Sequence, residues 1–193
     1  MNTKMIFTLA FISLIMVLSS SSSKAQFFPA KIIFQDGKEK SGLVKYPKKA
    51  DEKYIQFKPK ESAYKEKVES SSIKIIKFST DEGDFEMENV KTFIGWKRDK
   101  VSDPIFLTVL ERGHATLYTT YSPDTRNHTP NGSFNIPGNT YWLCYREGEK
   151  AASMVSMNFP NNLAPNKIMQ KLAPEYFQDY PELAKKIENK EYK

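Results

Sequence analysis

Pro104-Ile105-Phe106-Leu107-Thr108-Val109-Leu110-Glu111-Arg112-Gly113-His114-Ala115-Thr116-Leu117-Tyr118-Thr119-Thr120-Tyr121 is the stretch on which the fold turns. It is rich in β-branched and aromatic residues and is broken once, at Glu111-Arg112-Gly113, which is the pattern of a β-hairpin. Alternation puts Ile105, Leu107 and Val109 on one face of the first strand and Phe106 and Leu110 on the other. A strand apolar on both sides belongs in the middle of a sheet. Its partner separates Ala115, Leu117, Thr119 and Tyr121 from His114, Thr116, Tyr118 and Thr120.

Outward from this hairpin the chain continues as strands and turns. Towards the N-terminus, Lys31-Ile32-Ile33-Phe34-Gln35, the turn dipeptide Asp36-Gly37 and Gly42 to Tyr46 predict a hairpin. Lys53 to Lys58 alternates, with Ile55 and Phe57 on one side, and Pro59 ends it. In Ile73 to Phe78, strict alternation sets Ile76 and Phe78 opposite Ile73 and Ile75. Asp84 to Met87 and Val90 to Trp96 follow. Beyond the hairpin, Thr140 to Arg146 and Ala151 to Met157 are joined across Glu147-Gly148-Glu149-Lys150. Ser122 to Gly138 has no apolar period and reads as a long surface loop or disordered flap. After Asn158 the period becomes helical. Pro165 opens a helix carrying Ile168, Met169 and Leu172, which Pro174 interrupts. Asp179 then caps a second helix with Pro181 and Glu182 in its first turn. The expected fold is mainly β, an antiparallel β-sandwich or open barrel over residues 26–157, with short C-terminal α-helices over 158–193 packed on it.

Residues 1–25 read as a secretory signal peptide: Lys4, an apolar run from Met5 to Leu18, and small residues Ser23 and Ala25 before Gln26. The apolar run of about fourteen residues is short against the roughly twenty that span a bilayer. No cysteine follows the run to carry a lipid, so the reading is soluble export, periplasmic or secreted, and not a lipoprotein. The single cysteine, Cys144, forms no internal disulfide and reads as a small buried residue. Cleavage would leave about 168 of the 193 residues, enough for one core. It would also lower the net charge from +6 to about +4 by removing Lys4 and Lys24. Lysines crowd Lys45, Lys48, Lys49, Lys53, Lys58, Lys60, Lys65 and Lys67, and acids follow at Asp81, Glu82, Asp84, Glu86 and Glu88. The basic block reads as a solvated face or as a surface for an anionic envelope component or an acidic glycan. Arginine is scarce and no recognition motif appears, which excludes nucleic acid from the expected partners.

Catalytic signatures are few. His114 and His128 lack zinc spacing, no Gly-x-Ser-x-Gly elbow or phosphate loop occurs, and no metal or cofactor is expected. Asp84, Glu86 and Glu88 alternate onto one strand face, where glycoside hydrolysis would find its two carboxylates. The same alternation is that of an ordinary half-buried strand opposite Phe85 and Met87. Around the long segment gather Tyr118, Tyr121, Phe134, Tyr141, Trp142 and Tyr145. Of these, Tyr118, Tyr121, Phe134 and Trp142 are the candidate ligand-binding residues, because exposed rings stack on sugar faces.

The leader, the Lys31-Ile32-Ile33-Phe34-Gln35-Asp36-Gly37-Lys38 strand and turn, the Pro104 to Tyr118 hairpin and the tail Phe177 to Tyr192 together resemble a family of exported Bacteroidota proteins. That resemblance implies lineage and an envelope location, and it brings no activity and no site residues with it. The expected function is therefore an exported, non-catalytic envelope or surface module that binds a glycan, lipid or protein. The alternative is a carboxylate-dependent hydrolase of envelope or extracellular glycans.

Overall fold

The computed structural model describes residues 27–191 except 96–97, 124, 130–131, 137 and 159–164; for 125–129, 132–136 and 165–166 it describes the backbone. The signal-peptide reading of residues 1–25 lies outside the described residues. Among the described residues fourteen strands are formed: β1 (Phe27–Phe34), β2 (Glu39–Lys45), β3 (Tyr54–Lys58), β4 (Glu66–Glu69), β5 (Ile73–Thr80), β6 (Gly83–Val90), β7 (Phe93–Ile94), β8 (Lys100–Val101), β9 (Ile105–Glu111), β10 (Thr116–Ser122), β11 (Thr125–Thr129), β12 (Gly132–Ile136), β13 (Asn139–Tyr145) and β14 (Ser153–Asn158). Two helices follow, α1 (Pro165–Tyr176) and α2 (Pro181–Glu188). Ten strands make one antiparallel sheet in the order β14-β13-β10-β9-β6-β5-β1-β2-β3-β4, which is not closed into a barrel.

The first hairpin forms where Asp36-Gly37 marks it. Gly37 adopts φ +82°, which costs a glycine nothing. The Asp36 carboxylate accepts from the Lys38 amide at 3.0 Å. The 104–121 hairpin is central, with β9 between β6 and β10. Register then defines two faces. The front face carries Ile32, Ile76, Met87 and Phe106, and the back face carries Leu107, Tyr118 and Leu143.

The front-face cluster joins Val44, Ile55, Phe57, Phe78 and Ile73 to these residues, nearly all without solvent exposure. No second sheet covers it among the described residues; residues 46–53 cross it instead. The Tyr46 ring lies 5.9 Å from that of Phe78, and the Phe106 amide donates to the Ala50 carbonyl at 2.8 Å. The back-face cluster, Leu107, Tyr118, Leu143 and Ala152 with Val90 and Ile105 beside them, is enclosed differently. The chain beyond Val90 reaches the start of β14 through a single parallel bridge, Thr92 to Ala152. Phe93 and Ala152 supply the amides of two bonds there, at 3.0 and 2.8 Å. The sheet thus encloses a core on its front at one end and on its back at the other, with β6 and β9 contributing to both, and at that second end α1 and α2 cover the front over a further cluster around Cys144 and Val155.

Four local expectations change. Ile73 joins Ile76 and Phe78 in the front core, because β1 shifts register between Ile33 and Phe34, leaving Lys74 as the extra residue of a bulge. Residues 122–138, expected as a loop or flap, carry the hairpin β11–β12. Its polar strands have no apolar period to announce them. Pro174 lies inside α1 without ending it. Only the last turn follows it, so one helical bond is lost while Ala173 and Tyr176 pack on the sheet. Tyr180, and not Asp179, is the N-cap of α2, because the Asp179 carboxylate accepts from Arg146 at 3.0 Å.

Gly42 in β2 lies where β3 comes closest. A Cβ there would press on the Lys58 carbonyl oxygen and stand 2.6 Å from the Phe57 ring. Gly42→Ala should therefore cost about 2 kcal/mol, the usual penalty for overpacking. Urea unfolding would register it as a lower midpoint at unchanged slope.

Candidate functional site

A cavity of about 660 Å³ opens where the back-face core meets the strand ends. Ile105 begins β9, Thr120 to Ser122 end β10, and Met154 and Met157 lie on β14, so the pocket forms where staggered strands stop covering one another. Leu143 and Ile105 supply an apolar floor, while Tyr141, Tyr121 and Phe93 supply rings. Lys49, Asp51, Thr92, Thr120 and Ser122 bring charged and hydroxyl groups around them. Tyr121 is 56% exposed, unlike the rings of the core. Gly138 lies beside it: a Cβ at that position would meet the Tyr121 phenol and, at 2.5 Å, the Ser122 carbonyl. The missing side chain therefore gives the tyrosine its place.

The four candidate aromatics do not form one platform. Tyr118 is only 2% exposed and pairs with Leu143 on the back face. Trp142 pairs with Thr119 on the front face and packs against the cluster under the helices. The Phe134 side chain lies outside the described residues. Of the other three, Tyr121 lines the cavity, joined by Tyr141. Of the lysine block, Lys49 reaches the cavity, and Lys48 and Lys49 line an adjoining one of about 180 Å³. Phe93 and Asp51 were not marked by sequence, and Lys49 was marked only as one of the basic block, since the approach of 46–53 to β9 is a long-range contact with no local pattern.

Asp84, Glu86 and Glu88 do share one face of β6, but cations and a phenol occupy two of them. Glu86 is bound by Lys77 at 2.6 Å and Arg112 at 2.5 Å. The same Arg112 nitrogen lies 2.7 Å from Glu88, whose other oxygen accepts from the Tyr118 hydroxyl. Hydrogen bonds from Lys77 and then Arg112 hold the Glu86 carboxyl below its ordinary range. Burial, then the Glu88 carboxylate, raises the Tyr118 phenol well above its own. A glycosidase acid must stay protonated near neutrality. Glu86 is held ionised, and Asp84 is exposed. Among the described residues no group of three His, Cys, Asp or Glu side chains is placed to hold a metal ion. Cys144 is buried, and burial, with a lesser push from Glu149, raises its thiol to about 12, which leaves no thiolate for nucleophilic chemistry.

Because its folded-state pKa is depressed, Glu86 stabilises the fold fully above the ordinary carboxylate value, and the effect is lost as pH falls through the lower folded value. Glu86→Gln should thus cost about 1 kcal/mol at pH 7 and much less at pH 3, measured by urea unfolding at both. Tyr118→Phe removes the donor to a half-buried carboxylate and should cost about 2 kcal/mol in the same assay at pH 7.

Comparison with known proteins returned no matching family model, no matching curated protein and no matching solved structure.

Proposed function

We propose that this chain is an exported, non-catalytic binding module of the cell envelope whose ligand is an acidic glycan held in the 660 Å³ cavity. The observation that carries the reading is that exposed Tyr121 and the ring of Tyr141 both line a cavity edged by Lys49, Asp51 and threonine and serine hydroxyls. Sugars present apolar C–H faces to aromatic rings and hydroxyls to polar edges, and this lining offers both. Lys49 supplies a positive charge for a carboxylated sugar, and its lysine-rich neighbourhood attracts an anionic chain from a distance. Export rests on the leader sequence, as does the envelope setting that its resemblance implies. Among the described residues no helix is long and apolar enough to cross a membrane.

A uronic-acid oligosaccharide titrated calorimetrically against the mature protein should bind, and a neutral oligosaccharide of equal length should bind more weakly. Tyr121→Ala should weaken binding about tenfold, equivalent to roughly 1.4 kcal/mol of lost stacking, with the variant still folded by circular dichroism. Lys49→Gln should abolish the preference for the acidic sugar and flatten its salt dependence. Equal binding by wild type and Tyr121→Ala, or no binding of either sugar at millimolar concentration, would overturn the assignment.

A further inference from the structure

The two C-terminal helices do not seal the sheet on which they lie. Between them and the front face of β10, β13 and β14 is a second cavity of about 600 Å³, on the other side of the sheet from the Tyr141 and Leu143 side chains. Leu117, Val155, Met169, Phe177, Leu183 and the Cys144 thiol form its walls. The volume lies within the range of small-molecule sites, and the lining is apolar and aliphatic over most of its depth. The thiol stays neutral there, so no charge sits on the floor.

Polar groups are confined to the mouth, and Arg146 sets their chemistry. One terminal nitrogen lies 3.0 Å from Asp179 and the other 3.9 Å from Glu149. The guanidinium rests over the Tyr176 ring at 4.5 Å, which fixes its plane. With those groups engaged, its Nε–H is buried and donates to no acceptor. An unsatisfied buried donor is costly, and a ligand acceptor at that point would relieve it. Two carboxylates already face this one guanidinium, so the mouth has no spare positive charge for an anionic head. A neutral carbonyl meets the requirement.

We propose that this cavity holds the acyl chain of a neutral single-chain lipid, whose ester carbonyl accepts the Arg146 Nε–H. The chain lies against the wall containing Cys144, and the head emerges between His114 and Tyr180. The site is independent of the glycan cavity, so either reading can fail without the other.

Monoacylglycerols of ten, twelve and fourteen carbons, added below their aggregation limit and titrated calorimetrically, should bind one per chain. Affinity should rise about fourfold for each added methylene until the cavity is full, as expected for about 0.8 kcal/mol per buried CH₂. The free fatty acid of equal length should bind at least tenfold more weakly at pH 8. Arg146→Lys keeps the charge but loses the Nε–H, and should weaken monoacylglycerol binding fivefold or more. Should that variant unfold, Met169→Trp fills the cavity from α1, at a position with no bond to Arg146, and should abolish binding. No binding at any chain length, equal binding of the fatty acid, or full binding by Met169→Trp would overturn the proposal.

Discussion

Phe106 and Leu107 are consecutive residues of β9, and both are buried, at 1% and 0% exposure, on opposite faces of the sheet. Each withdraws a side chain worth about 1.5–3 kcal/mol from water, and neither gain is made unless its own face is covered. Proteins commonly meet this demand with a layer on each side of the sheet. Here the front face is covered over β1, β2, β5 and β6 by the sheet's own residues together with the 46–53 crossing. The back face is covered where the chain after Val90 reaches β14. The position of β9 between β6 and β10 is what allows one strand to serve both cores.

Much of this was legible because it is local. The two-sided apolar pattern of Ile105 to Leu110 marks a central strand, Asp36-Gly37 marks a turn, and the change of period after Asn158 marks helices. What escaped was decided by contacts distant in sequence. Alternation separates Ile73 from Ile76, yet the bulge at Lys74 reunites them because both are needed in one core. Asp179 has the chemistry of a cap, but Arg146, thirty-three residues away, takes its carboxylate. The β11–β12 hairpin is held by its ladder between polar strands, so hydrophobic patterning has nothing to detect.

The candidate site was legible only in part for the same reason. Tyr118 and Tyr121 are three residues apart in one strand and similar in composition, but one is buried with Leu107 while the other stands at a cavity mouth. Alternation assigns them opposite faces; it does not say which face the chain will cover at that level. The lysine block announced positive charge, and the crossing of 46–53 to β9 selected Lys49 from it. Cavities arise where covering elements run out, and those limits depend on strand stagger, which no short sequence window records.

The back face of β6 shows how the transition from solvent to core is made. Along it Asp84 is exposed, the Glu86 side chain is 27% exposed, that of Glu88 is 16% exposed, and Val90 packs into the back-face cluster. A carboxylate this far towards the core loses hydration and must recover it from fixed donors. Glu88 receives a guanidinium bond from Arg112 and the hydroxyl of Tyr118, whose ring is itself part of that core. The acid therefore marks the boundary of the enclosed region, and Tyr118 closes that boundary by placing its ring inside and its hydroxyl on the carboxylate. Arg112 also binds Glu86, so the outermost polar turn of the strand is tied to the same cation. In this arrangement Glu86 and Glu88 tie the sheet together where its buried back face begins, and Lys77 and Arg112 hold the Glu86 carboxyl in its ionised form.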